Sequence, residues 1–372
     1  MFFVLSGGGT AGHVTPAIAI AEALIKKYPD SEILFIGRNG GKENDLISKA
    51  GFNLKTIEIY GLKRRFSAEN IRAIKATVSS FRESKRILTE VKADMVIGTG
   101  GYVCFPVLKA AMRLGIPTVL HESNSTLGLS SKLLARGCDA LCLAYEKNAK
   151  TKNALFVGNP LRESFKKIPK ENAKAILGIP RNSFFLVSVG GSGGAEKLNE
   201  ASIDLMKSFS APKNDVYHLH SCGRSYYGDI SKRYPELCAN GKRYKTVPFI
   251  ENMATVLSAA DTVITRCGAM TLAEISYCRA APILIPSPNV TGNHQLKNAE
   301  AFSEKSGATI IEEKDLSHDT LFKAVKRYYE DPNLRRGIAN RSADANSDEA
   351  KIKILKIIDD ILCKKEIGRA HV

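Results

Sequence analysis

Phe2-Phe3-Val4-Leu5-Ser6-Gly7-Gly8-Gly9-Thr10-Ala11-Gly12-His13 opens the chain. A short apolar run breaks into three glycines, and an apolar-periodic stretch follows to Lys27. Strand, glycine loop and helix in that order form the first unit of an open parallel sheet. Glycines permit a tight turn and let backbone N–H groups approach an anion closely. Thr15 is a good N-cap and Pro16 suits the first helical position, so the helix is predicted to start there, its positive end toward the loop. Gly7, Gly9 and Gly12 also fit GxGxxG, which keeps an NADP-dependent oxidoreductase as an alternative. The next strand ends Phe35-Ile36-Gly37-Arg38. It offers no acid for a ribose hydroxyl, although Arg38 suits a 2′-phosphate.

The alternation continues along the chain. Strands are predicted at Phe2–Ser6, Ile33–Ile36, Met95–Ile97, Thr118–His121 and Ala140–Ala144, then at Phe184–Val189, Val216–His220, Thr246–Phe249, Thr262–Thr265, Ile283–Pro286 and Thr309–Ile311. Helices are predicted between them, among them Pro16–Lys27, Ala195–Phe209, Thr271–Arg279 and Gln295–Lys305. Continuous apolar strands separated by helices imply parallel sheets covered on both faces. Phe165–Pro180, rich in Lys and Pro, reads as a linker. The expectation is an α/β protein of two doubly wound domains with a cleft between them, residues 1–162 and 163–345. A last helix at about 349–364 fits either domain, and Gly368–Val372 fits no pattern.

Two more glycine loops follow strands. Gly190-Gly191-Ser192-Gly193-Gly194-Ala195 has four glycines in five residues, more than a turn needs, and Ser192 offers a hydroxyl to a phosphate oxygen. Gly98-Thr99-Gly100-Gly101-Tyr102 reads equally well as a plain strand-to-helix turn. Arg266-Cys267-Gly268-Ala269-Met270-Thr271 closes another strand, and Glu274 lies one turn into the following helix, where a carboxylate can accept from two ribose hydroxyls. His294-Gln295 and Asn298 can bond sugar hydroxyls or cap their helix.

The 372 residues exceed what one core usually serves. Lys and Arg total 54 against 38 for Asp and Glu, a formal net charge of +16 that favours anionic partners. No zinc-finger spacing or RNP-type aromatic motif appears, so nucleic acid is not expected as a partner. The eight cysteines sit in apolar contexts without CxxC pairs and read as buried thiols. No apolar stretch approaches the ~18 residues of a membrane span. The N-terminus lacks a signal peptide's basic start, so a cytoplasmic chain is expected.

Taken together, Gly8–His13, Gly100-Gly101-Tyr102, His121-Glu122-Ser123-Asn124, Gly158-Asn159-Pro160-Leu161-Arg162, Gly190–Ala195, Pro248-Phe249-Ile250, Arg266–Glu274 and His294-Gln295 with Asn298-Ala299 resemble the bacterial MurG family. Its members are UDP-N-acetylglucosamine:undecaprenyl-pyrophosphoryl-N-acetylmuramyl-pentapeptide N-acetylglucosaminyltransferases. The resemblance runs to about residue 360. It implies a GT-B glycosyltransferase fold, two Rossmann-like domains facing across a cleft, with acceptor and membrane toward the first and UDP-GlcNAc in the second. Implied donor contacts are Thr10, Ala11, Gly12, Asn124, Arg162, Ser192, Ile250, Ala269, Met270, Thr271, Leu272, Ala273, Glu274 and Gln295. Ile250 would read the uracil edge through its backbone, and Glu274 would hold the ribose. Ala11, Ser123, Cys104 and Cys267 depart from residues frequent in the family, without removing a catalytic group.

The implied reaction is inverting transfer of GlcNAc to the C4 hydroxyl of lipid-linked MurNAc, a hexosyltransferase step with no cofactor and no metal. It needs a base, for which His13 is the candidate, and donors for the pyrophosphate charge. Rival readings are a diacylglycerol-directed glycolipid synthase and a binder without activity. The acceptor's polyprenyl chain implies a peripheral enzyme at the cytoplasmic face of the cell membrane. Lys63-Arg64-Arg65-Phe66, then Ile71, Ile74, Val78 and Phe81 interleaved with Arg72, Lys75, Arg82 and Lys85, suits an anionic lipid surface. The same apolar stripe reads equally as the face that packs on the sheet.

Overall fold

The computed structural model describes residues 1–41, 44–61, 68–146, 151–191, 193–209, 215–239, 243–343 and 347–370. The chain divides into two compact units, Met1–Glu163 with Ala345–Val372, and Ser164–Asp344.

The first unit alternates strands and helices: β1 (Phe2–Ser6), α1 (Ala11–Lys27), β2 (Glu32–Arg38), α2 (Asn44–Lys49), β3 (Asn53–Ile57), α3 (Ala68–Glu90), β4 (Met95–Gly98), α4 (Gly101–Arg113), β5 (Thr118–Glu122), α5 (Leu129–Leu134), β6 (Ala140–Leu143) and β7 (Ala154–Phe156). The strands form one parallel sheet in the order β3-β2-β1-β4-β5-β6-β7. Alternate residues feed two cores. Val4 faces the layer of α3, α4 and α5, and Phe3 and Leu5 face α1. The strand order reverses between β1 and β4, where open α/β sheets bind ligands.

Here α1 begins at Ala11, with Thr10 as N-cap and Pro16 inside the helix, not at Thr15-Pro16. Residues 11–13 of the glycine loop are therefore helical. The strands β3 and β7, which the apolar pattern does not predict, lie at the two sheet edges. Edge strands are only partly buried, so β3 carries polar residues such as Asn53 and Lys55, while β7 is apolar but only three residues long.

The second unit contains α6 (Lys170–Ile176), β8 (Phe184–Val189), α7 (Glu196–Ser208), β9 (Val216–Ser221), α8 (Arg224–Arg233), α9 (Pro235–Cys238), β10 (Tyr244–Val247), α10 (Met253–Ala259), β11 (Thr262–Thr265), α11 (Ala269–Cys278), β12 (Ala281–Leu284), α12 (His294–Ser306), β13 (Thr309–Ile310), α13 (His318–Glu330) and α14 (Pro332–Ser342). Its parallel sheet runs β10-β9-β8-β11-β12-β13, reversing between β8 and β11. The stretch expected as a linker contains α6, which packs into this unit. Ala173 is fully buried, and Lys174 donates to Ser183 O at 2.6 Å and pairs with Asp261 at 3.0 Å. The Lys-rich composition disguises an inward-facing amine. The strand β12 starts two residues before its predicted position, across Pro282. The Pro282 carbonyl accepts from Tyr328 Oη, on the side where β13 has not yet begun, so the missing N–H removes no ladder bond.

The last helix, α15 (Ser347–Ala370), returns to the first unit, where Ile354 and Ile358 join the core of α1. Lys27 and Tyr28 both donate to Asp359 on it. Its helical backbone extends through Gly368 to Ala370, where the sequence shows no pattern.

Candidate active site

In the first unit the loops after β1 and β4 interlock around His13. Its Nδ1 lies 3.0 Å from Thr10 Oγ1, and its carbonyl accepts from Thr99 Oγ1 at 2.6 Å. When Nδ1–H donates to Thr10, the imidazole lone pair sits on Nε2, the tautomer a base acting through Nε2 requires. Gly101, at φ +79°, carries the β4–α4 loop past this group. A Cβ there would stand 1.9 Å from Gly8 O and 3.1 Å from His13 Nδ1. The loop that reads as a plain turn is thus also the wall against which His13 rests. Beside it, Cys104 is buried, and burial pushes its thiol up to about 12.

The end of β5 is organised by Glu122, which sequence reasoning quoted but gave no role. Its Oε1 accepts from Asn124 N–H at 3.1 Å and Asn124 Nδ2 at 2.9 Å. Its Oε2 accepts from Gly128 N–H at 3.0 Å and Ser131 Oγ at 2.7 Å. Asn124 is therefore held rigidly. The neighbouring His121 is buried and bonded to Gly158 O at 2.9 Å, and burial lowers its pKa, keeping it neutral. Arg162 reaches Glu22 of α1 at 3.3 Å, within the first unit.

In the second unit, the loop after β8 is shaped partly by the fold itself. Gly194, at φ +79°, passes so close to β9 that a Cβ would lie 2.1 Å from Cys222 O. Gly193 has no such reason, with nothing among the described residues within 4 Å of its would-be Cβ. The count of four glycines therefore overstates the phosphate signal, and Gly193 is the position left open to a ligand. Ser192 lies outside the described residues.

The loop after β11 leads into α11, whose N-cap is Gly268. The first intrahelical bond runs from Leu272 N–H to Gly268 O, so the N–H groups of Ala269, Met270 and Thr271 precede it and can serve an anion. Leu272 is buried in the core, leaving only its backbone for a ligand. Met270, Ala273 and Glu274 share a helix face by their spacing. Desolvation pushes the Glu274 carboxyl up to about 7, with no cation or donor among the described residues drawing it down. Arg266, which the sequence places beside this loop, is engaged: it forms an ion pair with Glu313 and donates to Ile285 O at 3.2 Å.

Gln295 and Asn298 brace the same loop. Gln295 Oε1 accepts from Cys267 N–H at 3.1 Å and Ser287 N–H at 2.9 Å, and Asn298 Nδ2 donates to Cys267 O at 3.1 Å. One end of the Gln295 amide is thus committed to scaffolding, and only Nε2 is left for a sugar hydroxyl. Ile250, after β10, buries its side chain in the core, so it too can meet a ligand only through its backbone. Phe249 beside it is exposed, with the Arg224 guanidinium over its ring at 5.3 Å.

Family models match both units: the glycosyltransferase family 28 N-terminal domain over residues 3–142 and its C-terminal domain over residues 185–355. A protein of Acetivibrio thermocellus named UDP-N-acetylglucosamine–N-acetylmuramyl-(pentapeptide) pyrophosphoryl-undecaprenol N-acetylglucosamine transferase is 37% identical over 374 residues, 99% of this chain and 100% of the relative. A Thermoanaerobacter protein of the same name is 38% identical over 365 residues, 97% of this chain and 100% of the relative. Among solved structures, Acinetobacter baumannii MurG superposes with a TM-score of 0.78 at 24% identity, over 96% of this chain and 99% of that one.

Proposed function

The chain belongs to glycosyltransferase family 28, and from that membership we infer that it transfers N-acetylglucosamine from UDP-GlcNAc to the C4 hydroxyl of undecaprenyl-pyrophosphoryl-MurNAc-pentapeptide (lipid I). The products are lipid II, for peptidoglycan synthesis, and UDP. The observation that carries this reading is end-to-end kinship, at 37% and 38% identity, with transferases named for that donor and acceptor. The same kinship disfavours a glycolipid synthase or an oxidoreductase.

The chemistry assigns roles to the two units. The acceptor O4 attacks C1 of GlcNAc, the C1–O bond to the pyrophosphate breaks, and the configuration inverts. His13 Nε2 takes the hydroxyl proton, with Thr10 fixing the ring. Negative charge growing on the pyrophosphate meets the N–H groups of Ala269, Met270 and Thr271 at the positive end of α11. Glu274 accepts from the two ribose hydroxyls, whose bonds replace the solvation its carboxyl has lost. Ile250 offers backbone to the uracil edge, and Gln295 Nε2 donates to the sugar. Thr10, Ala11, Gly12, Asn124 and Arg162 are the first unit's own candidates for donor contact.

The acceptor's polyprenyl chain places the enzyme at the inner membrane surface as a peripheral protein. Among the described residues no helix is long and apolar enough to cross a membrane. On α3, Ile71, Ile74 and Val78 are 60%, 57% and 49% exposed. Of the stripe, only Phe81 packs against the core, while Ala73, Ser80, Ser84, Ile87 and Leu88 form the buried face. The exposed isoleucines flanked by Arg72 and Lys75 favour an anionic lipid surface. Lys63-Arg64-Arg65-Phe66 lies outside the described residues.

The test is UDP release with UDP-GlcNAc and a lipid-pyrophosphoryl-MurNAc-pentapeptide acceptor. Turnover that requires both substrates is expected. Turnover with diacylglycerol instead, or with neither acceptor, would overturn the assignment.

A further inference from the structure

At the end of β9 the chain turns through Cys222 and Gly223 into α8, directly against the glycine loop of the second unit. Gly223, the N-cap of α8, has φ +89°, and a Cβ on it would lie 2.4 Å from Gly194 N and 2.7 Å from the carbonyl carbon of Gly193. The first turn of α8 is therefore pressed onto the part of the loop that is open to a ligand. Cys222 ties the same corner to two more elements. Its N–H donates to Val247 O of β10 at 3.0 Å, and its carbonyl accepts from Asn199 Nδ2 of α7 at 3.0 Å. Arg224 follows at once, exposed, with its guanidinium 5.3 Å from the ring centroid of Phe249. Phe249 is itself 40% exposed and immediately precedes Ile250. Among the described residues no carboxylate pairs with Arg224, and the first turn of α8 contains no acid.

We propose that Arg224 is a further donor-binding residue, its guanidinium donating to the diphosphate of the bound UDP-sugar, with Phe249 as the positioning residue that holds it at the rim. The proposal rests on the reading of the second unit as the UDP-GlcNAc site and adds two side chains that reading does not contain. Placement carries it: Arg224 stands between Gly193 and Gly194 on one side and Phe249 and Ile250 on the other, the segments offered to the phosphates and to the uracil. Charge supports it. The N–H groups at the start of α11 bring only dipoles to a diphosphate, and Arg266, the cation beside them, is taken by Glu313. A guanidinium stacked on an aromatic face keeps its N–H edge for a phosphate, and the stacking restrains its rotamers before the ligand arrives.

Calorimetric titration with uridine and with UDP tests the assignment on the whole chain. Arg224→Gln is expected to weaken UDP binding about tenfold and to leave uridine binding within about twofold, the loss of one charge-assisted hydrogen bond at an exposed site. Arg224→Lys, which keeps the charge but not the planar fork, is expected to recover part of the loss. Phe249→Leu is expected to weaken UDP binding less than Arg224→Gln does, and to add nothing in the Arg224→Gln background. In steady-state turnover the Arg224→Gln loss is expected in the KM for UDP-GlcNAc and not in that for the acceptor. Unchanged UDP affinity in a folded Arg224→Gln protein would overturn the proposal and leave the donor site standing. An equal loss for uridine and UDP would overturn the diphosphate contact, and a Phe249→Leu loss that persists in full without Arg224 would overturn the positioning role. Failure of the wild type to bind UDP would remove the donor-site reading as well.

Discussion

Replacing Glu274 with Gln separates the cost of burying a carboxylate from its use. In the unliganded protein, desolvation raises its pKa from 4.5 to about 7. A folded-state pKa raised above the unfolded value means that the folded protein binds the proton more tightly. This contribution to stability is therefore fully present below pH 4.5 and lost as pH rises through about 7. At about 1.36 kcal/mol per tenfold in proton affinity, the rise corresponds to about 3 kcal/mol. The side chain is only half-buried, so solvent screening reduces the expected observable to about 2 kcal/mol. Glu274→Gln, of equal size and uncharged, should then unfold at higher temperature than wild type at pH 8, with the difference vanishing by about pH 5. The same variant should bind UDP more weakly at pH 8 by about 2 kcal/mol, roughly 30-fold, through loss of charge-assisted bonds to the ribose. Wild-type affinity should fall below pH 7, because the proton must leave first. The difference between wild type and variant cancels titration of the ligand's own phosphate. Calorimetric titration from pH 5.5 to 8.5, with thermal denaturation alongside, measures both effects. A variant that is neither stabilised nor weakened in UDP binding would refute the argument.

Other perturbations test other parts of the structure. His13→Ala should lose about 10²- to 10⁴-fold in turnover while retaining UDP affinity; loss of UDP binding instead would make His13 a donor contact. Gly101→Ala forces a Cβ against Gly8 O at φ +79° and should destabilise by more than about 2 kcal/mol in thermal denaturation; normal stability would contradict the packing described. Buried His218 and His220 share the Ser188 hydroxyl at 2.7 Å each, and burial depresses both, His220 to about 4. Stability should therefore hold above about pH 6.5 and fall as pH drops toward 4, with His220→Asn flattening the melting-temperature profile; an unchanged profile would exclude this pair as the acid-labile element. Ile71→Ser with Ile74→Ser should weaken sedimentation with anionic vesicles about tenfold without lowering thermal stability, whereas a large stability loss would mean that those side chains pack.

The order of residues along the chain determined a good deal. Glycine loops after apolar strands announce parallel sheets with ligand loops at strand ends, because only that arrangement combines continuous apolar strands with crossover helices. Local chemistry also singled out His13, Gly190–Ala195 and Arg266–Glu274 as candidates. It is silent where a partner distant in sequence decides. Arg266 stands beside the ligand loop in sequence, yet Glu313 claims it. Gln295 reads as a sugar ligand, yet two loop N–H groups occupy its oxygen. The stripe on α3 reads equally as core or surface, because periodicity gives the angle between side chains but not which angle faces the sheet. Glu122 gathers four donors at a single node. The last helix crosses back to the first unit because the face of α1 beside Phe3 and Val14 takes Ile354 and Ile358. Burial, ion pairing and the destination of an amphipathic face depend on which segments meet in space, so only the tertiary structure could decide them.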